Sequence, residues 1–130
     1  MSRASPEGAR VLVVDDDATI RRSIAKALVR SGFAVTTAEE AVPAMQLPDR
    51  FELVVVDYNM GTATGADVVR HFKQRFGGQV FCVVLSGEDD ETLSARCRAA
   101  GADAVMVKPA LPTELRRCLT AGLDAIRAVA

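Results

Sequence analysis

Four short runs of consecutive apolar residues constrain the fold of this chain more than any other feature of its sequence. They are residues 11–14, 53–56, 80–85 and 104–107; valine predominates in them, and apolar and polar residues do not alternate. This pattern is typical of strands whose two faces are both covered by helices, as in parallel sheets. A fifth run, residues 33–38, alternates more and suits a strand at the edge of the same sheet.

Helical periodicity fills the segments between these runs. Ile20, Ile24 and Leu28 share one face of a first helix, which Asp17 caps at its start and Gly32 ends. A weaker helical segment, residues 39–46, is expected to be interrupted at Pro43. The other helices have their apolar positions at Val68, Val69, Phe72 and Phe76, then at Leu93, Cys97 and Ala100, and last at Leu115, Leu119, Ile126 and Val129. Thr64 followed by Asp67 resembles a capping arrangement at the start of the first of these three. Strand and helix alternate five times, which predicts an α/β fold with one open parallel sheet between two layers of helices.

The length and composition of the chain fit a single domain of this kind. Of its 130 residues, we expect residues 1–9 to form a polar tail and residues 10–130 to form the domain. The net charge of −1 lacks the basic excess that nucleic acid or a membrane surface attracts, so neither is expected as a partner. Without a secretory signal or an apolar run long enough to cross a membrane, a cytoplasmic location is expected. Reduced, buried thiols are expected at Cys82, Cys97 and Cys118.

Polar residues stand where four of the predicted strands end. Asp15 and Asp16 follow the first strand, Asp57 the third, Ser86 the fourth and Lys108 the fifth. Ligands of open α/β sheets bind beyond the carboxyl ends of the strands, so these side chains are expected to converge. Neighbouring carboxylates repel one another unless they bind a proton or a cation, and a site with oxygen ligands alone favours Mg²⁺ or Mn²⁺. Lys108 and the hydroxyl of Ser86 could bind phosphate oxygens at the same site. This set of side chains predicts phosphoryl transfer to Asp57.

Four segments resemble, in their order and spacing, the motifs of response-regulator receiver domains of two-component signalling. They are VLVVDDDATIRRSIAKAL, VVVDYNMGTATG with a loop glycine at Gly65, VVLSGEDDE and AGADAVMVKPA. The resemblance runs from about residue 10 to residue 123. It implies a flavodoxin-like, CheY-like fold with strand order 2-1-3-4-5. It also implies a phosphoacceptor that catalyses its own phosphorylation and dephosphorylation and is not a conventional enzyme.

The resemblance assigns a role to each residue of the acidic cluster. Asp57 corresponds to the residue that accepts the phosphoryl group. The ligands expected for Mg²⁺ are Asp15, Asp16, Asp57 and the backbone carbonyl of Asn59. Lys108 corresponds to the lysine that pairs with the phosphoryl group.

Three more residues are given roles in switching and in phosphate loss. Ser86 corresponds to the switch hydroxyl. Asn59 and Glu88 flank the path of the attacking water, so we expect them to control dephosphorylation and the phosphorylated state to be short-lived. The implied phosphodonor is a sensor histidine kinase or a histidine phosphotransfer protein. An output domain or target protein is expected at the last helices, and a phosphorylation-dependent dimer is left open.

The sequence departs from the family pattern at three positions. Gly61 replaces the usual proline of the loop after Asp57, and Ala110 replaces the usual phenylalanine after the Lys-Pro pair. Val105 replaces the aromatic residue of the fifth strand, so the usual coupling between that ring and the switch hydroxyl is absent. We expect the phosphorylation chemistry to be retained and the structural response to centre on the loop after Ser86 and on the helix that follows it.

Two alternative functions are weighed against this interpretation. The spacing of Asp15, Asp17 and Thr19 after an apolar strand also resembles the first motif of haloacid-dehalogenase-like phosphatases, with Asp15 as nucleophile. That alternative leaves Asp57 without a role. A nucleotide- or flavin-binding module is disfavoured because the sequence has neither a G-x-G-x-x-G motif nor a phosphate-binding loop of the Walker type.

Overall fold

The computed structural model describes residues 7–61 and 63–128, which form a parallel sheet between two layers of helices. The strands are β1 (Arg10–Val14), β2 (Ala34–Ala38), β3 (Leu53–Asp57), β4 (Asn59–Met60), β5 (Ala63–Thr64), β6 (Phe81–Ser86) and β7 (Ala104–Val107). The helices are α1 (Ala18–Arg30), α2 (Ala41–Met45), α3 (Gly65–Phe76), α4 (Glu91–Ala99) and α5 (Pro112–Ala128), with a 3₁₀ turn at Gly77–Gln79. The main sheet has the order β2-β1-β3-β6-β7, and β4 pairs with β5 separately. This order confirms the predicted flavodoxin-like fold.

Both faces of the sheet are buried, which explains why the strand sequences do not alternate. Successive side chains of a strand point to opposite faces, and here each face meets apolar helices. Every residue of β3 is buried. One face packs against α2, α3 and α4 through Leu12, Val14, Val54, Val56, Cys82, Val84, Val68, Val69, Phe72 and Cys97. The other packs against α1 and α5 through Val11, Val13, Leu53, Val55, Val83, Leu85, Leu28, Leu115, Leu119 and Leu123.

The register of the parallel strands brings their carboxyl ends to one edge of the sheet. Val14 lies opposite Val56, and Asp57 lies opposite Leu85. Ser86 lies opposite Val107 at the last pair of β6 and β7. The residues that follow these strands therefore emerge side by side.

The predicted signals at the ends of the helices are confirmed. Asp17 caps α1 by accepting a hydrogen bond of 3.0 Å from the Ile20 amide, and Gly32 follows the end of that helix with φ of +98°. Thr64 and Asp67 form a reciprocal capping box at the start of α3.

Three details differ from the expectations. Pro43 does not interrupt α2, because it is the third residue of that helix and its missing N–H would have no partner within the helix. β7 was expected to be buried on both faces, but its first three residues are half-buried and Val107 is 44% exposed, because the strand lies at the sheet edge, as the order 2-1-3-4-5 predicted. Cys82 and Cys97 are buried as predicted, whereas Cys118 is half-buried; all three are free thiols.

The ends of the described chain bear on the predicted tail. Residues 1–6 and Val129 lie outside the described residues. The Gly8 amide donates to the carbonyl of Gly32, and the Ala9 carbonyl accepts from Ala34, so these two residues lie against the start of β2. The boundary at residue 10 stays a prediction. Within the described ranges, no helix has the length and apolar character needed to cross a membrane.

Candidate functional site

Three carboxylates meet where β1 and β3 end. Asp15 follows the last residue of β1, and Asp57 is the last residue of β3, the strand beside it. One carboxylate oxygen from each of Asp15, Asp16 and Asp57 lies within 4.8 Å of the others. Asp15 and Asp57 are buried and Asp16 is exposed, so the cluster opens to solvent on the Asp16 side.

Lys108 brings a positive charge into this cluster from the segment between β7 and α5. Its Nζ lies 2.8 Å from Asp57 Oδ1 and 3.3 Å from Asp15 Oδ2. The backbone of Lys108 is held in place because its amide donates a hydrogen bond of 2.7 Å to the Ser86 carbonyl. The lysine therefore bridges the acids of two strands from a third strand end, as the sequence predicted.

The ionisation of Asp57 and Lys108 reflects this crowding. Burial raises the pKa of Asp57, the hydrogen bond from Lys108 works against that rise, and the charges of Asp15 and Asp16 add to it. Burial alone would lower the pKa of Lys108, but the hydrogen bond to Asp57 and the charges of Asp15 and Asp57 outweigh it, so the pKa of Lys108 is raised. Lys108 therefore stays charged, whereas the ionised form of Asp57 is disfavoured in the folded protein.

The donor set fits a hard divalent cation. Three carboxylates offer oxygen atoms within 4.8 Å of one another, and one of the three faces solvent, so an ion can enter. Burial, and to a lesser degree the charges of Asp15 and Asp16, raise the pKa of Asp57, and a cation placed among these oxygens would favour its ionised form. The residues of this site could therefore hold a metal ion.

The backbone of β3 at Asp57 is packed directly against the start of α3. The Gly65 amide donates a hydrogen bond of 2.8 Å to the Tyr58 carbonyl. A Cβ atom at Gly65 would lie 2.8 Å from the carbonyl oxygen of Asp57 and 3.0 Å from the Cα of Tyr58. The loop glycine noted in the sequence is thus required by space, because any side chain there would displace the strand end that carries Asp57.

The structure places the remaining predicted site residues around the cluster but does not join them to it. Ser86 is buried, and its hydroxyl donates to the Glu88 carbonyl at 2.9 Å and accepts from the Glu88 amide at 3.1 Å. Asn59 in β4 and Glu88 in the β6–α4 loop are both exposed. Among the described residues, no hydrogen bond or ion pair links their side chains or that of Ser86 to Asp57 or Lys108.

The sequence interpretation gave no role to Arg21, which contacts the site from α1. Its side chain is 10% exposed, and one guanidinium nitrogen donates a hydrogen bond of 2.8 Å to the backbone carbonyl of Asp15. A signal was present in the sequence: Arg21 lies three residues before Ile24 and seven before Leu28, which places it on the inner face of α1. A charged residue at such a position needs a buried partner.

The phosphatase alternative is not supported by this geometry. Its nucleophile would be Asp15, but that side chain is 2% exposed and both of its oxygens accept hydrogen bonds. Oδ1 accepts from the Asp17 amide at 2.9 Å, and Oδ2 accepts from Lys108. Asp57, which that alternative leaves unused, is the acid closest to the lysine.

Comparisons with known proteins agree with the fold and the site. The family model for the response regulator receiver domain matches residues 11–120. Protein PetR of Rhodobacter capsulatus is 34% identical over 117 residues, which are 88% of this chain and 48% of that protein. The two-component response regulator ORR6 of Oryza sativa subsp. japonica is 31% identical over 113 residues, 82% of this chain and 66% of that protein. The solved structure of the chemotaxis response regulator CheY4 of Vibrio cholerae is 28% identical with a TM-score of 0.81, covering 89% of this chain and 99% of that one.

The chain thus spans between about half and two thirds of the length of the first two relatives. Its matched region contains all four strand ends of the site, from Asp15 to Lys108. Because the family match covers most of the chain and the acids and lysine converge as that family requires, the chain belongs to the receiver domains of two-component response regulators.

Proposed function

We propose that Asp57 accepts a phosphoryl group from a histidine, on a sensor histidine kinase or a histidine phosphotransfer protein, in a reaction that requires Mg²⁺ or Mn²⁺. The observation that carries this proposal is the position of Lys108 Nζ, 2.8 Å from Asp57 Oδ1 at the open edge of an acidic cluster. A lone buried ion pair would need no further acids. Two more carboxylates beside it are explained by a cation.

Phosphoryl transfer to Asp57 forms one bond to phosphorus and breaks another. A carboxylate oxygen of Asp57 attacks phosphorus, a new O–P bond forms, and the P–N bond to the donor imidazole breaks. The electron pair of that bond stays on the imidazole nitrogen, which takes a proton from solvent. Lys108 remains charged, because its pKa is raised, and can pair with an oxygen of the transferred group. No proton need leave Asp57 when it reacts as the carboxylate.

The proposed metal ligands combine the three clustered carboxylates with a backbone carbonyl that the resemblance to receiver domains implies. Asp15, Asp16, Asp57 and the backbone carbonyl of Asn59 would hold the ion, which when bound supplies charge neutralisation at the phosphoryl oxygens. Ser86 would contact a further phosphoryl oxygen after its hydroxyl leaves the Glu88 backbone. That exchange would couple the phosphorylation state to the loop before α4.

The test compares two aspartate-to-asparagine variants of the same chain. Asp57→Asn is expected to abolish phosphate incorporation from acetyl phosphate with Mg²⁺, because an amide is not a competent nucleophile. Asp89→Asn is the matched control, because it makes the same chemical change at an exposed position of the β6–α4 loop. Intact-mass spectrometry should show one added phosphoryl group on wild type and on the control. Wild-type incorporation by Asp57→Asn would refute the assignment of Asp57.

We propose further that Asn59 and Glu88 govern the lifetime of the phosphorylated state. Both side chains are exposed, and they follow Asp57 and Ser86 by two residues each, so a bulky or basic replacement is proposed to obstruct the attacking water. Asn59→Arg and Glu88→Lys are expected to slow the loss of phosphate after the donor is removed in the presence of Mg²⁺. Identical decay in wild type and both variants would show that neither residue controls hydrolysis, and a long-lived wild-type phosphoryl group would contradict the expected short lifetime.

Partner binding is proposed for two parts of the surface. The phosphodonor is proposed to bind at a groove of about 260 Å³ that Lys108 lines together with Ile20, Ile24, Pro109 and Ala110 among others. The output domain or target protein is proposed to contact the exposed side of α4, β7 and α5, where Leu111 is 57% exposed. We place the protein in the cytoplasm, without direct nucleic acid or membrane binding, and regard a phosphorylation-dependent dimer as an open question for solution scattering.

A further inference from the structure

Arg21 is the one arginine among the buried residues of the described chain. The residue is 8% exposed, and its guanidinium makes two polar contacts. Nη1 donates a hydrogen bond of 2.8 Å to the backbone carbonyl of Asp15, and Nη2 lies 3.6 Å from a carboxylate oxygen of Glu39. Glu39 is 73% exposed, so that ion pair is weak, whereas the bond to the Asp15 carbonyl is buried.

The carbonyl that Arg21 holds belongs to the peptide group between Asp15 and Asp16. The orientation of that peptide group sets ψ of Asp15 and φ of Asp16, and so the directions in which the two side chains leave the backbone. On the other side of Asp15, its own amide donates to the Ala38 carbonyl at 3.2 Å, and its Oδ1 accepts from Asp17. Arg21 supplies the contact that fixes the remaining polar group of this backbone turn.

The bond from Arg21 positions the acids without competing for them. A guanidinium bound to a carboxylate oxygen would occupy a potential metal ligand, but here it is bound to a backbone oxygen. Hydrogen bonds from a charged donor are roughly twice as strong as those between neutral groups, and a buried carbonyl that loses its donor has no water to replace it. The peptide group is therefore held firmly while the carboxylates stay available.

We propose that Arg21 is a positioning residue for the divalent cation site: it orients the Asp15–Asp16 peptide group so that both carboxylates face the same ion. This inference rests on the proposed function, since it presumes a cation at the acidic cluster. It adds a residue from α1 whose effect on the cation is exerted through the backbone and not through a ligand atom.

The test measures the affinity of Mg²⁺ and of Mn²⁺, each added alone, by calorimetry and by the fluorescence of Tyr58. Tyr58 is the only tyrosine of a chain without tryptophan, and it directly follows Asp57. Arg21→Gln is expected to weaken affinity on the order of tenfold, the effect typical of losing a group that orients a metal ligand. Arg21→Lys, which keeps the charge and one donor, is expected to lie between wild type and Arg21→Gln, with a loss of about threefold.

Two control variants separate positioning from general effects of charge. Arg22→Gln removes the same charge from the next residue, which is exposed, and Glu39→Gln removes the weak partner of Arg21 while leaving its bond to Asp15. Both are expected to change affinity by no more than about twofold. Arg21→Gln and Arg22→Gln with equal affinities would overturn the proposal.

A second measurement tells positioning from mere stabilisation of the fold. Urea unfolding with and without saturating Mn²⁺ gives the free energy that the ion adds to stability, and a tenfold loss of affinity lowers that increment by about 1.4 kcal/mol. A residue that only stabilises the fold would lower stability in both conditions and leave the increment unchanged, which would refute the proposal.

If Arg21→Gln does not fold, the Mn²⁺ affinity of Arg21→Lys is compared with that of Arg22→Lys, and equal affinities overturn the inference. A wild-type chain that binds neither ion overturns both this inference and the metal requirement of the proposed function, whereas wild-type binding with unaffected Arg21 variants overturns this inference alone.

Discussion

Gly65→Ala should disturb the acceptor strand by adding a single methyl group. The new Cβ would lie 2.8 Å from the Asp57 carbonyl oxygen and 3.0 Å from the Tyr58 Cα, and both are backbone atoms that no rotamer change can move away. Overpacking of this kind costs about 1–3 kcal/mol. Replacing glycine by alanine also restricts the unfolded chain, which returns about 0.4–1 kcal/mol. The expected net loss of unfolding free energy is therefore at most about 2.6 kcal/mol, and the unfolding free energy of the variant lies about 1–3 kcal/mol below that of a glycine-to-alanine change without a clash.

The same substitution should slow phosphorylation, because relief of the clash must shift the end of β3. Asp57 lies 2.8 Å from Lys108, and a displacement of a few tenths of an ångström changes that contact and the approach to the donor. Since a misplacement of about 1 Å in a reacting group can cost a factor of about 100, a loss of about 3- to 10-fold in rate is expected.

The assays are urea unfolding and the initial rate of phosphate incorporation from acetyl phosphate. Gly78→Ala is the control, because a Cβ there meets nothing within 4 Å and its φ is not in the left-handed region. The control should gain about 0.4–1 kcal/mol of stability from the same restriction of the unfolded chain and leave the rate unchanged. If Gly65→Ala matched Gly78→Ala in both assays, the argument from the close approach of α3 to Asp57 would be wrong.

Three further predictions concern stability. Because burial raises the pKa of Asp57, the native state binds a proton there more tightly than the unfolded chain does, so wild-type stability falls as pH rises through this titration. In the presence of a chelator, the stability of Asp57→Asn relative to wild type should therefore increase from acid to neutral pH. A difference in urea unfolding that does not depend on pH would contradict this prediction. Thr64→Ala should cost about 1 kcal/mol of unfolding free energy at neutral pH, because it removes the α3 cap. The hydrogen bond from the Thr64 amide lowers the pKa of Asp67, so the stability lost in Asp67→Asn should shrink as pH falls through that pKa. Thermal unfolding at two pH values would test this. Gly122→Ala should destabilise by about 1–3 kcal/mol, because its Cβ would overlap the Phe81 ring, and the double variant with Phe81→Val should lose less than the sum of the single losses.

Much of the fold could be predicted because it rests on signals that are local in the sequence. The apolar runs mark strands covered on both faces, and the capping residues Asp17 and Thr64 mark where helices begin. The incomplete burial of β7 could not be read from its own residues, which are as apolar as those of a central strand. Its position at the edge of the sheet followed from the strand order that the resemblance implied. The β4–β5 pair was missed since strands of two residues carry no periodicity.

Some features of the site follow from local sequence, and others depend on how the elements pack. The convergence of Asp15, Asp57 and Lys108 follows from parallel strands ending at one edge, so strand ends alone predicted it. The local hydrogen bonds of Ser86 and the buried contact of Arg21 depend on where a loop and a helix face settle. Those contacts needed the structure.

The backbone holds the carboxylates of Asp15, Asp16 and Asp57 close together although they repel one another. The ionised form of Asp57 is disfavoured in the fold, as its raised pKa records, yet the acid cannot move away. Its strand is buried along its whole length, and α3 lies against its last carbonyl. Lys108 relieves only part of the repulsion, because one ammonium is shared between Asp57 and Asp15. We therefore expect a cation or a phosphoryl group that binds here to act on the side chain of Lys108, which two acids share, and on the hydroxyl of Ser86 at the end of β6.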